Sequence, residues 1–224
     1  ALRINPKFAE AYVLLGHVCT EKERLKEARE ALARAEAIGT DDPWLHLNWA
    51  AVHTAAGELE AASNRYQAVL KSGTKNQKAL ISAYSFQIEH HKRLGEFEKA
   101  NDLYNTLCEM DPTNAWVRGN HANLLRNELG RYDEALARAL EALRIMNYGV
   151  GRGILAMCLY AKWADLVINQ NKSASEAQKY YDEAFRIFPD LDDVMVYEGS
   201  YAKGKALVQL LKSKGVSIDA RAED

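Results

Sequence analysis

Apolar and polar positions along the chain follow a helical spacing that recurs about every 35 residues. In five segments a turn is followed by an apolar residue, two mostly polar residues and an alanine. The closing alanines are separated by 34, 38, 35 and 42 residues, and they are Ala28, Ala62, Ala100, Ala135 and Ala177. Four positions beyond them stand Leu32, Tyr66, Tyr104, Ala139 and Tyr181. The pattern predicts five pairs of antiparallel helices.

Each segment also carries the residues that such a pair needs. Glycine in the turn reverses the chain without a steric penalty, as at Gly57 and Gly95. The small alanine lets the second helix approach the first closely. Proline after the second helix ends it, as at Pro112 and Pro189. Because each pair leaves an apolar face that only the next pair can cover, we predict a stack.

The residues of the first segment resemble the tetratricopeptide-repeat consensus, notably 9–12, Leu15-Gly16, Ala28 and the Asn5-Pro6 ending. The resemblance implies an all-α fold, a right-handed superhelical stack of antiparallel helix pairs whose first helices (A) line a concave groove that binds proteins or peptides. We predict one repeat domain over 1–213 and a frayed tail over 214–224. Its five repeats cover 9–42, 43–76, 77–114, 115–149 and 150–190, followed by a capping helix over 192–212.

The repeat spacing also predicts unequal helices. The third and fifth repeats carry four and eight extra residues ahead of the turn. Four residues rotate a helix face by only about 40° and eight by about 80°, so the apolar stripe continues through them. We therefore expect long A helices over 76–94 and 150–170. The single extra residue of the fourth repeat would rotate the face by about 100°, so we expect it in the turn.

Composition narrows the classes of function. Apolar residues make up 48% of the chain, charged residues 27%, and the net charge is −2, which argues against nucleic acid and anionic lipid as partners. No run of 18 apolar residues predicts a membrane span, and we expect a cytoplasmic protein. Cys19, Cys108 and Cys158 have neither metal-site nor disulfide spacing. We expect them to pack as small apolar residues.

No catalytic or cofactor motif stands out, so we expect a non-enzyme without cofactor or metal. His46 and His53 share a helix face and are either packing histidines, which we favour, or metal ligands. The Gly149–Gly153 segment resembles a phosphate loop, but no strand precedes it. We interpret it as a flexible turn ahead of an A helix.

The register implied by the resemblance places A-helix positions 2, 5, 6, 9, 12 and 13 in the groove. Asparagine at such positions can pair with a peptide backbone, and tryptophan offers a large contact area. The alternative is that these asparagines are solvated and that the tryptophans pack between repeats. The predicted binding residues are His17, Trp44, Asn48, Trp116, Asn120, Asn123, Arg126 and Asn127.

Related repeats that grip the carboxyl terminus of chaperones use a carboxylate clamp of lysine, asparagine and arginine. Here Val13 and His17 occupy the first two clamp positions, and Ser82 replaces the arginine, while Asn48 and Lys78 match. The clamp is incomplete. A receptor for chaperone tails is therefore disfavoured.

The leading hypothesis is a scaffold or adaptor that binds a peptide segment or partner protein in the groove. Because the chain starts abruptly inside a repeat, a second hypothesis is the non-catalytic repeat arm of a larger enzyme, such as a glycosyltransferase-like protein. A third is self-association through the open edge of the first pair.

Overall fold

The computed structural model describes residues 8–168, 170, 172 and 174–187. This part of the chain forms ten helices and no strand, which confirms the all-α prediction. The helices are α1 (Ala9–Glu21), α2 (Leu25–Ile38), α3 (Pro43–Ala55), α4 (Leu59–Lys71), α5 (Gln77–Arg93), α6 (Phe97–Met110), α7 (Ala115–Asn127), α8 (Tyr132–Ile145), α9 (Gly149–Ile168) and α10 (Ala174–Ile187). Each odd-numbered helix packs against the even-numbered helix that follows it, giving the five expected pairs.

Contacts divide the chain into two compact units, 1–110 and 111–224. In the first unit α1 contacts α3, and α3 contacts α5, so successive A helices stand side by side. In the second unit α9 contacts both α7 and α8. A single repeat domain over 1–213 stays a prediction. The expected capping helix (192–212) and tail (214–224) lie outside the described residues.

The repeat alanines lie in the interior of the helix pairs. Ala28, Ala62, Ala100, Ala135 and Ala177 are all fully buried. In the first unit the core around Ala28 joins α1, α2 and α3 through Leu32, Trp49 and other apolar residues. In the second unit the core runs from α7 to α10 around Trp163. Cys19, Cys108 and Cys158 are buried as free thiols, as expected of small apolar side chains.

The unequal helix lengths are confirmed. Helices α1, α3 and α7 each have 13 residues, whereas α5 has 17 and α9 has 20. The extra residue of the fourth repeat lies in the turn, because the turn between α7 and α8 spans 128–131 and the earlier turns are one residue shorter. Insertions of four and eight residues lengthen the helices, because they keep the apolar residues on one face. The single inserted residue lies in the turn, because within a helix it would rotate that face away from the core.

The prediction of a flexible turn at Gly149–Gly153 is wrong, because α9 begins at Gly149 and includes the whole segment. The reason for a glycine there is packing. A Cβ on Gly151 would lie 2.5 Å from Cε1 of Tyr148. The glycine therefore lets the Tyr148 ring lie against the first turn of α9, and it serves no phosphate loop.

The turns within pairs use the left-handed backbone region. Gly57, Gly95 and Gly130 have φ of 76°, 72° and 65°. The first pair places Glu23 at this point instead, with φ of 58°. A side chain in this region is strained, so the first turn is formed at a cost of about 1 kcal/mol that the glycine turns avoid.

Candidate functional site

Three of the predicted binding residues line one cavity in the first unit. The cavity has a volume of about 320 Å³ and lies between α1 and α3. Its walls are His17, Trp44 and Asn48, together with Glu10, Val13, Leu14 and Asp42. All but Asp42 occupy groove positions of the repeat register. The structure thus brings the predicted residues of the first two repeats together.

Asn48 is a structural part of this cavity. It is 7% exposed, and its Nδ2 donates to the backbone oxygen of Val13, 3.1 Å away. Because a carbonyl oxygen only accepts, the amide must turn its nitrogen towards α1 and keep Oδ1 for any other contact. Asn48 therefore holds α3 against α1. One of its two N–H groups is thus used within the protein, which leaves the second N–H and Oδ1 for the peptide-backbone ladder that its residue type indicated.

Trp44 is placed by the start of α3. Asp42 caps this helix, its Oδ1 accepting from the backbone nitrogen of Trp44 at 3.0 Å. Pro43 fills the first helical position, where a missing N–H costs nothing. This arrangement fixes the backbone of Trp44, and 39% of the residue remains exposed. The Trp44 ring is therefore exposed at the cavity, and its backbone is held in place by the helix cap.

The other five predicted residues lie on α7 in the second unit. Trp116 is 51% exposed beside the ring of Tyr148, with the ring centroids 5.0 Å apart. Burial raises the pKa of Tyr148, so its phenol stays protonated and its hydroxyl donates to the backbone oxygen of Ala115 at 3.4 Å. Asn120 is exposed one turn along the helix from Trp116. Trp116 and Asn120 therefore present an accessible surface.

Arg126 organises the remaining part of α7. It is 7% exposed, its Nε donates to Oδ1 of Asn127 at 3.0 Å, and its Nη2 donates to Oδ1 of Asn123 at 3.2 Å. The two amide oxygens are therefore occupied by the guanidinium. The cluster Asn123–Arg126–Asn127 is a fixed polar network rather than three independent binding groups.

The predicted binding residues do not include four residues of the cavity, Glu10, Val13, Leu14 and Asp42. Glu10 and Leu14 stand at positions 2 and 6 of α1, so the register already pointed to them. The prediction left them out because it was based on amides and aromatic rings as peptide-binding groups. Asp42 precedes α3 and is recognisable only as a helix cap.

A second cavity, of about 280 Å³, lies where the turn between α7 and α8 meets α9. Its lining is mostly charged and includes Arg131, Asp133 and Lys162. Lys162 is 8% exposed, and its Nζ lies 2.8 Å from Oδ2 of Asp133. None of the predicted binding residues lines this cavity.

Three other histidines of the first unit, His46, His53 and His91, belong to packing and turn contacts. His53 Nδ1 lies 2.5 Å from Oε2 of Glu58, and His91 Nδ1 lies 2.6 Å from Oε2 of Glu96, each pair spanning a turn. Burial lowers the pKa of His46, and the positive charge of Arg65 lowers it further. Within the described residues no group of three or more His, Cys, Asp or Glu is arranged to hold a metal ion. None of the described helices combines the length and apolarity needed to cross a bilayer.

Comparisons with known proteins agree with this architecture. The tetratricopeptide-repeat family matches residues 9–38, which are α1 and α2. No curated protein sequence matches the chain. YrrB, a tetratricopeptide-repeat protein with an unusual peptide-binding site, has a similar structure, with a TM-score of 0.61 at 18% identity over 85% of this chain and 91% of YrrB.

Two structures of MamA are also similar. One gives a TM-score of 0.60 at 15% identity over 85% of this chain and 95% of MamA. The MamA of MSR-1 gives 0.54 at 20% identity over 84% of this chain and 97% of that protein. At such low identity these likenesses concern the fold. The first helix pair therefore matches the tetratricopeptide-repeat family, and the described helix pairs have the fold of tetratricopeptide-repeat proteins.

Proposed function

We propose that the protein is an interaction scaffold that binds a peptide segment or partner protein on the exposed faces of its A helices. The fold is the one that tetratricopeptide interaction scaffolds use. The observation that carries the proposal is the cavity between α1 and α3, where the groove register brings His17, Trp44 and Asn48 together. No catalytic residue, cofactor or metal is assigned.

Rigidity supports a binding role for this cavity. The Asn48–Val13 hydrogen bond fixes the spacing of α1 and α3, and the Asp42 cap fixes the backbone of Trp44. A surface that is already ordered loses little conformational entropy when a partner binds. An exposed tryptophan on such a base is the type of residue that dominates binding energy at interfaces.

The second unit offers a comparable surface on α7. Trp116 and Asn120 are exposed, whereas Arg126 is held by two neighbouring amides. We assign peptide contact here to Trp116 and Asn120 and a supporting role to Arg126. The peptide-binding site named for YrrB belongs to that protein, and it motivates testing peptides on this one.

The test is binding of the labelled protein to an array of random linear peptides of roughly ten residues, long enough to cross more than one A helix when extended. Trp44→Ala and Trp116→Ala are compared with Ile38→Ala and Leu140→Ala, which remove similarly exposed apolar side chains from the second helix of a pair in the same unit. Peptides bound by the wild type should bind one tryptophan variant about 30-fold more weakly, as expected for an interface anchor.

The two control variants should bind like the wild type. Circular dichroism establishes that all four variants are folded. If both tryptophan variants retain the peptide binding of the wild type, or if no peptide binds at all, the proposal is wrong.

A further inference from the structure

The cavity between α1 and α3 contains carboxylates without cationic partners. Glu10 is exposed on α1, and Asp42 is half-buried at the start of α3. No ion pair in the described part of the chain involves either of them. Other carboxylates of this unit, such as Glu36 and Glu58, are paired with arginines. Two negative charges at one cavity repel each other and attract a cation.

The hydrogen-bonding groups of the cavity are mainly acceptors. Asn48 donates one N–H to the Val13 carbonyl and keeps Oδ1 and its second N–H. Asp42 uses Oδ1 for the backbone nitrogen of Trp44 and keeps Oδ2. The carboxylate of Glu10 accepts only, and a neutral His17 can accept through its unprotonated ring nitrogen. A ligand rich in donors matches this set.

The rest of the lining is apolar and aromatic. Val13, Leu14 and Trp44 line the cavity beside the acceptors, with 62% of Leu14 and 39% of Trp44 exposed. Apolar walls accept the methylene stem of a long basic side chain, and a tryptophan face attracts its charged head. A guanidinium has five donors in a plane and stacks on aromatic rings, whereas an ammonium has three donors and is more strongly hydrated.

We propose that this cavity is a specificity pocket for a basic side chain, arginine in preference to lysine, in an extended segment of the partner. This rests on the proposed function, because it names the side chain that the A-helix surface selects. It is the opposite charge preference to that of a carboxylate clamp. The first unit would therefore bind a basic peptide segment. The methylene stem of the arginine would lie on Leu14 and Trp44, and its guanidinium near Glu10 and Asp42.

The experiment uses the full chain and a position-scanning library of end-blocked decapeptides, with the ends blocked so that no terminal amine can replace the side chain. The structure predicts enrichment of arginine at one position. For an enriched peptide, calorimetry then compares arginine with lysine and with citrulline, which keeps the shape of arginine without its charge. We expect about three- to tenfold weaker binding with lysine and a larger loss with citrulline.

Substitutions in the protein locate the effect. Glu10→Gln and Asp42→Asn remove charge while keeping shape, and asparagine preserves the helix cap. Each should weaken binding of the arginine peptide about two- to fivefold, and the double variant should abolish its advantage over the citrulline peptide. Glu30→Gln changes an exposed carboxylate of α2 outside the cavity and should have no effect.

The outcomes separate this inference from the proposed function. Peptide binding without arginine enrichment, or enrichment that survives in the Glu10→Gln/Asp42→Asn variant, overturns the basic-pocket assignment and leaves the scaffold proposal standing. Binding that is sensitive to Trp44→Ala but selects acidic peptides also overturns it. An absence of binding to any peptide overturns both.

Discussion

Gly16→Ala is expected to destabilise the first helix pair, although alanine favours helices more than glycine does. A Cβ on Gly16 would lie 2.5 Å from Cδ2 and 2.6 Å from Cγ of Leu32. Ordinary contacts of this kind are 3.4–4 Å, so Leu32 would have to move by about 1 Å. Leu32 is fully buried, and the close packing of protein interiors opposes such a shift.

The magnitude follows from two opposing contributions. Overpacking a buried site costs about 1–3 kcal/mol, and the required shift at a fully buried leucine places this case near the upper end. Alanine recovers up to about 1 kcal/mol of helix propensity. The free energy of unfolding should therefore fall by about 1–2 kcal/mol, which lowers the urea midpoint by roughly 0.5 M.

The matched control is Gly149→Ala in α9, where a Cβ would meet nothing within 4 Å. It gains helix propensity without the clash, so it should be neutral or slightly stabilising. Urea unfolding monitored by circular dichroism measures both variants. In a Leu32→Ala background, where the opposing atoms are gone, Gly16→Ala should become favourable. A Gly16→Ala protein as stable as the Gly149→Ala protein would refute the reasoning.

Substitutions at three further positions test other parts of the structure. Burial, with a smaller effect of Arg138, lowers the pKa of His121 to about 4, whereas an unfolded histidine titrates near 6.5. As the pH falls, the unfolded chain therefore binds the proton first, and the free energy of unfolding should fall by up to ~3 kcal/mol between about pH 6.5 and pH 4. Urea midpoints measured across this range should fall less in the His121→Gln variant than in the wild type. An unchanged pH profile in the variant would contradict the assignment. Asn48→Ala should destabilise the protein by about 1–2 kcal/mol and speed amide exchange in α1. Asn48→Asp should destabilise it more, because it places a second acceptor against the Val13 oxygen. Equal stability of the two variants would argue against the hydrogen bond. Glu23→Gly relieves the left-handed backbone at φ of 58° and should raise Tm by about 2–4 °C, and a lower Tm would count against that strain.

The fold could be predicted from the sequence because its determinants are local. The turn glycines, the buried alanines and the spacing between them define each pair within about 35 residues. The length of α5 and the longer turn before α8 followed from the rotation that each inserted residue imposes on a helix face. The prediction of a turn around Gly151 is wrong because Gly151 accommodates Tyr148, a packing need that glycine content alone does not distinguish from flexibility.

The candidate site was only partly predictable. Helical register identifies the side of α1 and α3 that a residue occupies, so His17, Trp44 and Asn48 could be grouped in advance. It does not identify which polar atoms are already used. One N–H of Asn48 is used by a carbonyl 35 positions away in sequence, and Arg126 is held by its own helix neighbours. Only three-dimensional contacts distinguish such structural amides from binding groups.

Site-specific photo-crosslinking tests the central claim, that partners bind on the A helices, most directly. A benzophenone amino acid is placed at Leu14 or Asn120, which are exposed on α1 and α7, and at the control positions Glu30 and Leu140, exposed on α2 and α8. With a peptide selected by the wild-type protein, we expect crosslinks at Leu14 or Asn120 and none at the controls. Crosslinks at Glu30 or Leu140 as strong as those at Leu14 and Asn120 would contradict it.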